Sequence, residues 1–304
     1  MTPRGGEAAE GNSRMPASRF EFHSPRSLPE TFALLSHYGD RARVLAGGTD
    51  LVPKLLKGSL RLEAVVSLRH VEELRGLGFD PERGLSIGAA VRHAEVMEHP
   101  DVRARYPALA HALSQLATVQ VRNMGTIAGN LCNASPCADS APILLARDAR
   151  LEIGSPAGSR SLPLSEFFLG PGRTALLPGE LLTSIRVAPP PVHTAFAFRS
   201  ISGRSRVDMS AASVGVMVRL EGGRIAGARI FLGAVGPTPL RAARAEELLA
   251  GQIPDEALLA RAGEAAATES KPITDVRASS AWRRRMVSVL ARRALAEAVE
   301  RAKA

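Results

Sequence analysis

Lysine is nearly missing from this chain: of 39 basic residues only Lys54, Lys57, Lys271 and Lys303 are lysines, and the rest are arginine. Aromatic residues make up 4%, and cysteine occurs twice, as Cys132 and Cys137. Each scarcity excludes something. Binders of single-stranded nucleic acid interleave stacking aromatics with a positive groove. Here the arginines are scattered, apart from runs such as Arg283–Arg285, so no nucleic-acid partner is expected. The formal charge of +9 reads as a basic surface that faces solvent or an acidic partner subunit. Two thiols make no disulfide framework. Their C-x4-C spacing opens an iron–sulfur pattern that needs further cysteines. The seven histidines form no H-x3-H pair, so packing rather than metal ligation is expected of the cysteines. No apolar run approaches the ~18 residues of a membrane-spanning helix. The opening MTPRGGEAAEGNSRM lacks the apolar segment of a secretory signal. A cytoplasmic location is the expectation, with residues 1–18 as a disordered lead-in.

What is present is an ordinary globular composition, 45% hydrophobic and 23% charged over 304 residues. That length suits roughly two domains of about 100–200 residues. The pattern is mixed. Ser27-x-x-Glu30 has capping-box spacing before a helix, and a short strand, Val44–Ala46, follows. EAVVSL and GLSIGAAV read as strands, VEELRGL as a helical turn or two, and residues 106–117 as a helix with Leu109, Leu113 and Leu116 on one stripe. ARLEIGSPAGSRSL reads as a β-hairpin turning at Pro156–Gly158. The three prolines of APPPVHT cannot supply the N–H groups of a helix or sheet interior, which marks a linker near 188–194. Beyond it three strands suggest an antiparallel meander, followed by two or three helices. In the last of these Trp282, Met286 and Leu290 recur at four-residue spacing. The fold class is α+β, with domains over 19–190 and 195–304.

Two glycine-bearing loops stand out, Leu45-Ala-Gly-Gly-Thr-Asp50 and Asn123-Met-Gly-Thr-Ile-Ala-Gly-Asn130. Glycine permits φ > 0 and close approach of a ligand to the main chain. Successive N–H groups in such turns make anion-binding concavities, to which a threonine hydroxyl adds a donor. Asn130 can donate and accept. Neither loop is a P-loop or a G-x-G-x-x-G turn. Each alone is compatible with a plain tight turn. Together they suggest a cradle for a diphosphate, whose many oxygens would be costly to bury unpaired.

The motifs AGGTDL (46–51), SIGAAVRHAEV (86–96), QVRNMGTIAGNLCNASPCADSAP (120–142) and WRRRMVSVLARRAL (282–295) occur in that order. They resemble the FAD-binding medium subunits of the molybdenum hydroxylases, the xanthine dehydrogenase and carbon monoxide dehydrogenase group, over nearly the whole chain. The resemblance implies a PCMH-type, two-lobed FAD-binding domain and a smaller C-terminal domain with a three-stranded antiparallel sheet and helices. FAD would lie between the lobes. Its diphosphate would sit on Ala46, Gly47, Gly48, Thr49 and Asp50, with Arg43, Val44 and Leu45 leading in and Leu51 leading out. Gly125, Thr126, Gly129 and Asn130 would form the second clamp. Asn133 and Asp139 would face the flavin and ribityl region, and Leu182 the ring. Leu116, Val121 and Cys132 belong to the same implied site, and Arg199 stands where relatives often place a base near the ring. Three departures are visible, one of them the lack of the cysteine-rich insertion that carries an extra iron–sulfur cluster in some relatives. Ala128-Gly129 replaces a common Gly-Gly, and Leu116 replaces an aromatic that stacks on the flavin in some members.

The implied function is electron transfer within an oxidoreductase complex. A molybdopterin-binding large subunit and a small subunit with [2Fe-2S] clusters would be partners, in a heterotrimer that is itself doubled. Electrons would leave for NAD+, oxygen or a quinone. Chemistry of that kind belongs to the cofactor, while the protein supplies position and electrostatics. His93, at a strand-to-helix junction, reads as structural. A stand-alone FAD-dependent reductase of the same fold and a flavin-free scaffold remain alternatives.

Overall fold

The computed structural model describes residues 19–203 and 208–303; the lead-in expected over 1–18 lies outside the described residues. The chain begins with β1 (Glu21–His23), α1 (Leu28–Tyr38), β2 (Ala42–Leu45), α2 (Leu51–Leu56) and β3 (Ala64–Ser67). The three strands form a parallel sheet in the order β1-β3-β2. All four residues of the central β3 are buried, which accounts for its unbroken Ala-Val-Val run. The capping box before α1 is half made. Ser27 Oγ accepts from Glu30 N at 3.3 Å, but the Glu30 carboxylate reaches one residue farther back, to Arg26 N at 2.8 Å.

A second lobe follows: β4 (Leu77–Asp80), β5 (Gly84–Gly88), α3 (His93–Glu98), α4 (Pro100–Arg105), α5 (Pro107–Gln115), α6 (Val119–Met124), α7 (Ile127–Cys132) and α8 (Ser140–Ala146). It is completed by β6 (Arg150–Ser155), β7 (Gly158–Pro163), β8 (Phe168–Gly170), β9 (Arg173–Thr174) and β10 (Leu181–Val187). Five strands pair antiparallel in the order β4-β5-β10-β6-β7, and β8 pairs with β9 alone. The hairpin turns between Ser155 and Gly158. VEELRGL contains only a 3-10 turn, Glu72–Leu74.

The C-terminal part is a meander of β11 (Thr194–Ser202), β12 (Ser210–Glu221) and β13 (Arg224–Gly233), extended by the two-residue β14 (Leu240–Arg241). Gly222 and Gly223, at φ +55° and +75°, supply the left-handed pair that a two-residue hairpin requires. Helices α9 (Ala243–Leu249) and α11 (Ser280–Lys303) cover one face of this sheet, and α10 (Glu256–Glu269) packs on those two helices. The stripe along α11 is displaced from the expected one. Leu290 is buried and Met286 half-buried, but the continuous inner row runs Arg283, Val287, Leu290, Ala294 and Ala298. Its alanines let the helix approach the sheet closely. On the opposite face the sheet rests on α8, all seven residues of which are buried. A Cβ on Gly215 would fall 2.5 Å from the Pro142 carbonyl, so glycine sets that spacing. Phe196, Phe198 and Phe231 of the sheet thus join the apolar core of the second lobe.

Candidate cofactor-binding site

The two glycine-bearing segments, far apart in sequence, meet. After β2 the chain turns through Ala46–Asp50 into α2, with Gly48 in the left-handed region at φ +73°. A Cβ on Gly47 would lie 2.5 Å from Gly125 Cα and closer still to the Met124 carbonyl oxygen. Gly125 in turn has Thr49 Oγ1 3.3 Å from its Cβ position, and Gly129 has Ala46 Cβ at 3.8 Å. Only a residue without a side chain allows this contact between backbones.

Each segment is anchored from behind. Leu68 N donates to Leu45 O at 2.9 Å, tying the first to the end of β3. His93 N donates to Gly125 O at 2.9 Å, and Arg92 bridges to Thr126. Thr118 Oγ1 caps α6 by accepting from Val121 N, and Thr126 Oγ1 caps α7 by accepting from Gly129 N at 2.9 Å.

The backbone donors of the two segments differ in what they bind. Gly125 N donates to Val121 O, Gly129 N to Thr126 Oγ1 and Asn130 N to Thr126 O, so these groups close helix ends. The N–H groups of Gly47, Gly48, Thr49 and Asp50 have no protein acceptor among the described residues. The first segment is therefore the donor nest. The second contributes shape, the Thr126 hydroxyl and the Asn130 amide, whose Oδ1 accepts from Ser140 Oγ at 2.7 Å.

Both segments line one cavity of ≈ 830 Å³, within the range of about 300–1,000 Å³ usual for cofactor pockets. Its wall includes every residue anticipated for the site except Leu45 and Arg199. Leu45 ends β2 outside that wall. Arg199 was expected near a flavin ring, and strand geometry turns it away. Successive side chains of β11 alternate, with Phe196 and Phe198 facing the second lobe and Ala195, Ala197 and Ile201 facing the helices. Arg199 shares the second face and pairs with Glu297 of α11 at 2.6 Å.

Polar links cross the cavity wall. Lys54 Nζ donates to Asn133 Oδ1 at 2.8 Å, and Asn133 Nδ2 donates to Asp50 Oδ1 at 3.0 Å, joining α2 to the end of α7. Burial raises the Asp50 carboxyl above its ordinary range, and Lys54 opposes the shift. Asp139 is 7% exposed; its Oδ2 accepts from Ser210 Oγ at 2.6 Å and its Oδ1 has no partner. Burial pushes its pKa up to about 6 against the pull of the Ser210 and Ser213 hydroxyls. The Cys132 thiol is pushed up to about 12 by burial, and Cys137 is raised by burial and then by Asp139. Both are free thiols in the wall.

Sequence reasoning missed Lys54, His93 and the wall from Thr174 to Leu181. Lys54 carried a signal, standing one helical turn beyond Asp50. The wall carried none. It is held by Glu180, which takes a two-pronged contact from Arg160 at 2.7 Å each and accepts from Leu177 N at 2.8 Å.

The fold and the cavity define a two-lobed α+β protein whose site offers free backbone donors in the wall of a cofactor-sized cavity. The model of the FAD binding domain in molybdopterin dehydrogenase matches residues 18–190, and that of the CO dehydrogenase flavoprotein C-terminal domain matches 197–298. The xanthine dehydrogenase FAD-binding subunit of Escherichia coli O157:H7 is 31% identical over 91% of this chain and 95% of its own length. The carbon monoxide dehydrogenase medium chain of Hydrogenophaga pseudoflava is 33% identical over 91% and 96%. Among solved structures, carbon monoxide dehydrogenase from Hydrogenophaga pseudoflava superposes with a TM-score of 0.90 at 33% identity, covering 94% of this chain and 99% of that one. Quinoline 2-oxidoreductase from Pseudomonas putida 86 does so with a TM-score of 0.88 at 31% identity, covering 95% and 99%. The chain belongs to the FAD-binding subunits of the molybdenum hydroxylase family, and is thus a component of an oxidoreductase.

Proposed function

We propose that this chain relays electrons, with FAD held between its lobes, from [2Fe-2S] clusters of a small partner subunit to a terminal acceptor: NAD+, oxygen or a quinone. The observation that carries this reading is the meeting of the two glycine segments over one cavity, with four unspent N–H groups in its wall. Bound there, a flavin supplies one- and two-electron exchange.

The protein's own part is to bind and orient. Gly47, Gly48, Thr49 and Asp50 offer backbone donors to the diphosphate, with Thr126 and Asn130 beside them. Asn133 and Asp139 offer polar contacts further along. The unpartnered Asp139 Oδ1 fits a hydroxyl donor of the ribityl chain, since a buried oxygen without a partner is costly. Leu116, Val121, Cys132 and Leu182 supply apolar wall. Arg43, Val44, Ala46, Leu51, Gly125 and Gly129 complete the surround, and Arg199 takes no part. The division into 19–190 and 195–304 belongs to the same reading.

Relatives named as medium chains and FAD-binding subunits support a complex with a molybdopterin-binding large subunit and an iron–sulfur small subunit. No helix among the described residues is long and apolar enough to cross a membrane. The reading places the complex in the cytoplasm as a doubled heterotrimer. Two measurements test it: the visible spectrum of the purified subunit, and co-purification from its native host. A flavin spectrum with two co-purifying subunits supports the relay. Turnover of a small substrate with NAD(P)H by the chain alone would overturn it.

A further inference from the structure

His93 has no role in the reading above beyond its backbone. It opens α3, its N–H holds the Gly125 carbonyl, and its imidazole is only 2% exposed. His93 is nevertheless among the residues that line the cavity. It lies at the junction of the two glycine segments, since His93 Cδ2 and Thr49 Oγ1 are 3.1 and 3.3 Å from the same Gly125 Cβ position. Its Nδ1 is sealed from solvent without a hydrogen-bond partner. A buried polar atom left unpaired in a native fold calls for an explanation.

The ring's surroundings settle its protonation. With Cδ2 against Gly125 and Nδ1 sealed, the Nε2 edge is the one left to the cavity. An unpaired buried acceptor costs less than an unpaired buried N–H, so the single proton of the neutral ring belongs on Nε2. Neutrality follows from burial and from the nearby Arg122, which together hold the imidazole down at about 4. Arg122 is itself fixed by the carbonyls of Leu116 and Ala117, at 2.8 and 2.9 Å.

We infer that His93 is a cofactor-contacting residue, whose neutral imidazole donates from Nε2 to an oxygen of the bound nucleotide at the crossing of the two glycine segments. This rests on the FAD reading. It makes the buried histidine a poor choice for folding alone and a good one for the loaded protein.

The test compares full-length wild type with His93→Leu and His93→Gln, each stripped of flavin and titrated with FAD while flavin fluorescence is followed. Melting of each flavin-free protein is recorded alongside. Loss of one hydrogen bond to a charged group predicts that FAD binding by His93→Leu weakens about 10- to 100-fold. The melting temperature of flavin-free His93→Leu should hold or rise, because an apolar side chain relieves an unpaired polar atom. His93→Gln carries an amide N–H to the place of Nε2 and should recover most of the affinity. A His93→Leu protein that binds FAD like wild type overturns the inference. A melting temperature lowered in step with affinity, unrescued by Gln, also overturns it and assigns a structural role. If wild type itself takes up no FAD, the functional reading fails, separately from this one.

Discussion

Replacing Gly47 by alanine adds one methyl group where two backbones touch. Its Cβ would fall 2.5 Å from Gly125 Cα and nearer still to Met124 O, against a comfortable carbon separation of about 3.5–4.0 Å. The segments must part by roughly an ångström, and neither can yield by a side-chain rotation. Overpacking against atoms that cannot move aside costs about 1–3 kcal/mol. If that cost falls on the closed arrangement that grips the diphosphate, affinity for FAD drops about 5- to 150-fold. Two controls grade the effect. In Gly129→Ala the new methyl meets Thr126 Oγ1 at 3.0 Å and Ala46 Cβ at 3.8 Å, which predicts a smaller loss. In Gly76→Ala it meets nothing within 4 Å, which predicts none. Titration of each flavin-free protein with FAD, with circular dichroism to confirm the fold, reads the series. Gly47→Ala that retains wild-type affinity would refute the convergence of the two segments as the basis of binding.

The buried titrating pair of the cavity makes opposed contributions to stability. Asp139 is held up at about 6, so between pH 6 and its ordinary 3.8 the folded chain keeps a proton the unfolded chain has released, and the fold gains stability as pH falls through that window. His93 is held down at about 4, so between pH 6.5 and 4 the unfolded chain takes a proton the folded one refuses, and stability is lost as pH falls. Each is on the order of 3 kcal/mol and they largely offset; in urea unfolding of flavin-free protein, Asp139→Asn should lose stability on acidification more steeply than wild type. Gly215→Ala forces the C-terminal sheet off α8, and unfolding should show a loss of about 1–3 kcal/mol. Cys132, its thiol pushed up to about 12, should resist iodoacetamide at pH 8 in the folded protein and react once it is unfolded.

Much of the site was legible because its requirements are local. Gly47, Gly48 and Gly125 are demanded by a turn and a close approach, and each leaves a mark in adjacent residues; the short helices capped by Thr118 and Thr126 did not, and residues 123–130 read as a loop. The meander was legible from such local marks, while its Gly222–Gly223 turn came from the structure. What escaped depends on contacts between distant segments. A shift of one position along β11 decides which face a side chain takes, so Arg199 went to α11 and not to the cavity. The wall from Thr174 to Leu181 is shaped by Arg160 gripping Glu180, a pairing no spacing announces. The division of labour between the segments, one with free N–H groups and one without, emerges only from a full account of hydrogen bonds.

That division gives the most direct test. Amide hydrogen exchange on the purified subunit, with and without FAD, reads each segment separately. Binding should slow exchange at Gly47, Gly48, Thr49 and Asp50 strongly and change Gly125 and Gly129, already bonded within their helix ends, far less. Exchange at residues 47–50 that is the same with and without saturating FAD would contradict the account.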